Sequence, residues 1–147
     1  SPVGIAIDDN SLIWVAMSID NSIISFSPLE KRFKRYAIPT SDAAPYGIAV
    51  GGNAVVWFTQ RGGNKIGGLN TKDGLIKEYH IPTVGSQLLG IAEDKEGIVW
   101  FIEIHHVLGA IFVTHAYYPG IVTAIFYPIV GVFYYKELIQ NFRKNKI

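Results

Sequence analysis

Glu103, His105 and His106 are the side chains in this sequence that lie closest to forming a reactive cluster. In an extended strand alternate residues share a face, so Glu103 and His105 would project together. Carboxylate and imidazole are both common metal donors, and Glu-x-His could supply two ligands of a metal site. Glu103 and His105 are therefore candidate metal ligands, with a pair of interfacial polar residues as the other reading. His115 sits in an apolar stretch, where an ionisable group at membrane depth would be a functional candidate. His80 falls at an outer-strand position that contacts solvent. There is no Ser/His/Asp arrangement in a recognisable context and no phosphate loop. Gly51-Gly52 and Gly62-Gly63 read as turn glycines. With no cysteine, disulfides and thiolate metal sites are excluded.

What must position these residues is a repeat. Its complete copy runs from Pro45 to Thr83. Gly4, Gly47 and Gly90 are 43 residues apart, and Trp14, Trp57 and Trp100 keep that interval. Ile38-Pro39-Thr40 and Ile81-Pro82-Thr83 keep it too. A period in the forties with strand patterns inside it is the signature of propeller blades. The complete copy predicts four short strands: Gly47–Val50, Val55–Gln60, Lys65–Asn70 and Leu75–Ile81. Gly67-Gly68 inside the third predicts close backbone approach by a neighbouring strand. The recurring glycine would let the innermost strand crowd the propeller axis. Trp14, Trp57 and Trp100 are expected to pack between blades rather than to form a ligand box. In the first copy Lys31, Arg32, Lys34 and Arg35 give the outer strand a charged, solvated edge. The third copy begins normally, but after Glu103 no Asn-Lys-Ile-Gly element and no closing Ile-Pro-Thr follow. The fold class is thus mainly β: a partial propeller of about two and a half four-stranded blades over 1–103. Because Ser1 directly precedes a repeat motif, further sequence upstream is expected.

Charge is distributed unevenly. Residues 1–103 carry nine Lys/Arg and eleven Asp/Glu, residues 104–135 carry none, and residues 136–147 have a net charge of +3. A near-neutral body, an uncharged apolar stretch and a basic tail describe a membrane-anchored protein. Residues 104–118 read as an interfacial lead-in and 119–136 as a transmembrane helix opened by Pro119, with 137–147 a basic cytoplasmic tail. Gly120, Ala124, Tyr127, Gly131 and Tyr134 recur at alternating steps of four and three, so on a helix they would line one packing stripe for other membrane subunits. The positive-inside rule puts the propeller outside the cell membrane in this single-pass arrangement. The body has no basic patch with interleaved aromatics, which argues against a nucleic-acid partner.

The repeat motifs Pro45-Tyr46-Gly47-Ile48-Ala49-Val50, Val56-Trp57-Phe58-Thr59-Gln60, Asn64-Lys65-Ile66-Gly67 and Glu78-Tyr79-His80-Ile81-Pro82-Thr83 resemble those of the streptogramin lyase (virginiamycin B lyase) propellers. They are similar, more loosely, to NHL-repeat propellers. The resemblance covers residues 1–103. It implies a His and Glu constellation that, with bound Mg²⁺, opens a cyclic depsipeptide by elimination. Glu103 falls on the glutamate of the family's V-W-F-T-E motif and is the implied catalytic residue. Gln60 and Met17 stand at that place in the earlier copies, and no family histidine motif is identified. Two functions are therefore expected of the chain. The first is a non-catalytic accessory or scaffold subunit of a membrane complex, with no cofactor. The alternative is a lyase with Mg²⁺, acting outside the cytoplasm.

Overall fold

The computed structural model describes residues 1–81, 84–104, 115–118 and 121–124. They form three four-stranded antiparallel sheets. The first comprises β1 (Pro2–Ile7), β2 (Ile13–Met17), β3 (Ser22–Ser27) and β4 (Arg32–Ala37). The second comprises β5 (Pro45–Val50), β6 (Val55–Gln60), β7 (Lys65–Asn70) and β8 (Ile76–His80). In each the strands lie in chain order, so every connection is a hairpin. The third has β9 (Gln87–Glu93), β10 (Val99–Ile104), β11 (His115–Tyr118) and β12 (Ile121–Ala124). This is the meander expected of propeller blades.

The third sheet corrects two expectations. The sheet does not stop at Glu103, although the repeat motif does, because β11 pairs with β10 and β12 pairs with β11. A strand at Ile121–Ala124 also stands where a helix starting at Pro119 was expected. The physical reason is that an uncharged run of β-branched and aromatic residues suits a strand as well as a membrane helix. Within the expected lead-in, Ile104 ends β10 and His115–Tyr118 is β11. Ala124 of the expected packing stripe ends β12. Gly120, Tyr127, Gly131 and Tyr134 lie outside the described residues, as do His105 and His106. Among the described residues no helix is long and apolar enough to cross a membrane.

Two hydrophobic layers hold the blades together. Trp14, Ala16 and Ile23 of the first blade meet Val56, Phe58 and Leu69 of the second. Trp57 and Ile66 of the second meet Leu88, Val99 and Phe101 of the third. Alternation explains the pattern: Trp57 points toward the following blade and its neighbour Phe58 toward the preceding one. The innermost strands approach closely at the recurring glycine. A Cβ on Gly4 would lie 2.3 Å from the Tyr46 carbonyl oxygen, and one on Gly47 would lie 2.2 Å from that of Leu89. Gly67 and Gly68 have a different role from the one expected. They face Phe58 and Trp57 across the β6–β7 pair, and the aromatic rings lie over them.

Candidate functional site

In all three blades the register slips at the start of the innermost strand, between Pro2 and Gly4, Pro45 and Ile48, and Phe101 and Glu103 with its partners Ile91 and Leu88. Such bulges bend a strand and re-aim neighbouring side chains. They set Met17 opposite Pro2, Gln60 opposite Pro45 and Glu103 opposite Leu88. The three residues at the glutamate place therefore sit at one end of their blades, at the last turn of the second strand.

The second blade shows what that place holds. Gln60 is fully buried, and its Nε2 donates to Glu78 Oε1 at 3.0 Å. Glu78 Oε1 also accepts the Thr40 backbone N–H at 3.2 Å, and Oε2 accepts the Thr40 hydroxyl at 2.8 Å. Lys65 Nζ donates to Glu78 Oε2 at 3.0 Å and to Thr40 Oγ1 at 2.6 Å. The Lys65–Glu78 pair is mostly buried, with side chains 17% and 15% exposed. Burial pushes the Glu78 carboxyl up, but the hydrogen bonds from Thr40, Lys65 and Gln60 outweigh it and hold it below its ordinary 4.5. The cluster ties the loop leaving the first blade to the body of the second. It is a structural clamp, and sequence reasoning did not single it out, although Glu78 and Lys65 both belong to the repeat motifs.

Glu103 occupies the corresponding place in the third blade and is 1% exposed. A carboxylate with so little exposed surface has little room beside it for the water shell that Mg²⁺ keeps. The described residues therefore do not fit that ion at Glu103. Nor do they contain any group of three His, Cys, Asp or Glu able to hold a metal. His105, the second candidate ligand, lies outside them. His80 ends β8 on the exposed outer edge, opposite Lys65 in the register.

Asparagine, unmarked in the sequence reading except as part of a motif, carries the other recurring polar contact. Asn21 and Asn64 both adopt positive φ, 48° and 52°, a conformation asparagine tolerates well. Asn21 Nδ2 donates to the carbonyls of Ile38 and Thr40, and its Oδ1 accepts the Ala43 N–H at 2.9 Å. Asn64 repeats this with the Ile81 carbonyl and with the N–H and hydroxyl of Ser86. At the axial end Thr59 joins two innermost strands: its Oγ1 accepts from Gly47 N–H at 2.8 Å and donates to Leu89 O at 2.9 Å. Beside it the Arg61 guanidinium lies 4.7 Å over the Tyr46 ring and reaches Gln87 Oε1 at 3.1 Å. This arrangement offers a polar, aromatic surface for contact, with the carboxylates and amides behind it engaged in holding the blades.

Comparison with known proteins agrees with the fold. The model of the virginiamycin B lyase family matches residues 1–114. The crystal structure of virginiamycin B lyase from Staphylococcus aureus is similar at 30% identity and a TM-score of 0.76, over 86% of this chain and 41% of that one. A catalytically inactive form of that enzyme with quinupristin matches at 30% identity and a TM-score of 0.77, over 88% of this chain and 42% of that one. A chain of a nidogen/laminin complex matches at 13% identity and a TM-score of 0.71, over 89% of this chain and 49% of that one, a likeness of fold alone. The chain spans less than half the length of these solved structures. No curated protein matches it.

Proposed function

The chain belongs to the virginiamycin B lyase family, and from that premise we propose that it is a non-catalytic propeller module, an accessory or scaffold subunit that binds through its blade ends. One observation supports this reading: Glu103, the residue at the family glutamate's place, is 1% exposed. A general base must come within hydrogen-bond reach of its substrate, and a side chain this buried presents almost no surface for that contact. The equivalent Gln60 is spent on the clamp with Glu78.

Attachment to a membrane belongs to the proposal only through residues 125–147. With β12 ending at Ala124, eleven uncharged residues remain before Lys136. A span needs about 20, so this short apolar run with its basic tail fits an interfacial anchor better.

A lyase is the second reading, favoured by the match of Glu103 to the family motif. The purified chain incubated with quinupristin, with and without Mg²⁺, separates the two. Elimination opens the ring without changing the mass, so the product is read by its chromatographic retention. The scaffold reading predicts no ring-opened product under either condition. Ring opening that disappears in Glu103→Gln would replace it with the lyase reading.

A further inference from the structure

Basic side chains are gathered on the outer rim of the first two blades. Of the nine Lys and Arg in residues 1–103, six lie on the outermost strands β4 and β8 or in the hairpin turns that enter them: Lys31, Arg32, Lys34, Arg35, Lys72 and Lys77. All six are exposed. Against them stand Glu30 and Asp73, Glu78 being paired with Lys65, so the rim keeps an excess of four positive charges. Two leucines protrude among these cations. Leu29, in the β3–β4 turn, is 92% exposed, and Leu75, just before β8, is 65% exposed. The two turns are equivalent hairpins at the same end of neighbouring blades. Lys34 stands between them. Its Nζ lies 4.8 Å over the Tyr36 ring and 3.9 Å from where a Cβ on Gly74, in the second blade's turn, would be.

This exposure does not come from a missing neighbour. The β7–β8 turn has a blade on either side, and Lys72 and Leu75 are exposed there all the same. Arg32 and Lys34 share a face of β4 with Tyr36, which the second blade covers, and both remain exposed beside it. Nearer the axis, at the same end, the β1–β2 and β9–β10 turns carry Asp8, Asp9, Asp94 and Glu96. The cationic surface is therefore an outer corner and not the whole end.

We propose that this outer corner docks on the surface of a bilayer that contains anionic lipid. Lys31, Arg32, Lys34 and Lys72 face the headgroup phosphates, and Leu29 and Leu75 enter the headgroup boundary. Charge alone fits any polyanion. The protruding leucines select the bilayer, because a soluble polyanion gives them no apolar surroundings and a lipid surface does. The acidic turns near the axis are repelled by the same surface, which tilts the propeller so that its rim meets the membrane. A single interfacial element binds reversibly, and a second contact makes attachment stable. The rim is that second contact beside residues 125–147, yet the proposal rests on blade residues alone. None of them lies at the glutamate place, so it holds for scaffold and lyase alike.

Flotation of the full chain with vesicles tests this, using phosphatidylcholine and phosphatidylglycerol in equal parts, and phosphatidylcholine alone. The wild type should float with the anionic vesicles, and added salt should weaken that binding. Lys31→Gln, Arg32→Gln and Lys34→Gln combined should lower the partition coefficient on anionic vesicles about a hundredfold, at about fivefold per basic side chain. The same variant should leave partition to phosphatidylcholine alone unchanged. Leu29→Ser with Leu75→Ser should lower partition to anionic vesicles about tenfold or more. These side chains are exposed, so urea midpoints should stay at the wild-type value. A wild type that does not float with anionic vesicles overturns the proposal. So does a basic-rim variant that floats like the wild type, with loss only in Arg143→Gln, Lys144→Gln and Lys146→Gln combined, which would leave attachment to the tail. Loss in the basic-rim variant with no change in the leucine variant also overturns it, and would mean that the rim reads a soluble polyanion.

Discussion

Trp57 needs an acceptor for its indole N–H, and the chain provides one from a different residue than in the flanking blades. Asp8 Oδ2 accepts from Trp14 at 2.9 Å, and Asp94 Oδ2 accepts from Trp100 at 2.7 Å. One repeat after Asp8 stands Gly51, with no carboxylate to offer. Glu93 of the next blade fills the vacancy: its Oε2 accepts from Trp57, and its Oε1 accepts the Gly52 N–H at 2.9 Å. A Cβ on Gly51 would lie 2.1 Å from Glu93 Oε2, so the two solutions exclude each other. Glu93→Ala should therefore cost about 1.5–3 kcal/mol, the range for hydrogen bonds to a charged group. Gly51→Asp alone should also destabilise, while the double variant should recover most of the loss by rebuilding the arrangement of the other blades. Urea midpoints of the four proteins give the coupling; simple additivity would mean that Glu93 does not replace the missing aspartate. The tryptophans and glycines were legible in the sequence because they keep the period. Glu93 was not, because it compensates from outside the period.

At the level of strands and blades, the close approach of innermost strands is the feature most exposed to test. Gly47→Ala places a methyl group 2.2 Å from the Leu89 carbonyl oxygen, and backbone cannot move aside as a flexible side chain can. A loss of about 1–3 kcal/mol is expected, as for other overpacked sites. A urea midpoint equal to wild type would show that β5 and β9 are not held together there. The clamp between the first two blades should set the acid limit of stability. Glu78 is held below its ordinary 4.5, so its contribution is complete above that value and disappears as pH falls through the lower, folded-state value. Asp94, held below its usual range by the Trp100 and Ile98 N–H groups, acts in the same direction. Glu78→Gln should destabilise at neutral pH and make the remaining stability less sensitive to acid. An acid profile identical to wild type would remove Glu78 as a source of that sensitivity. The eight strands of the first two blades could be read from alternation and turn glycines. The clamp could not, since Thr40, Gln60, Lys65 and Glu78 come together only once the loop between blades folds back.

For the molecule as a whole, the period carried the reading as far as Glu103 and then failed. The third blade departs from the repeat after β10: residues 105–114 separate that strand from β11, where the second blade turns within four residues. A run without formal charge then satisfied the criteria for a membrane span, since composition alone does not tell a strand buried in a sheet from a helix buried in lipid. The account of the fold as three propeller blades stands on the claim that β11 and β12 complete the third. Hydrogen–deuterium exchange of the chain in aqueous buffer, without detergent, tests that claim most directly. The expected result is slowed exchange within His115–Tyr118, which is paired on both sides, with weaker protection in the edge strand Ile121–Ala124. Fast exchange throughout residues 115–124 in buffer, with protection gained only on adding lipid bilayers, would contradict the third blade and restore the membrane helix.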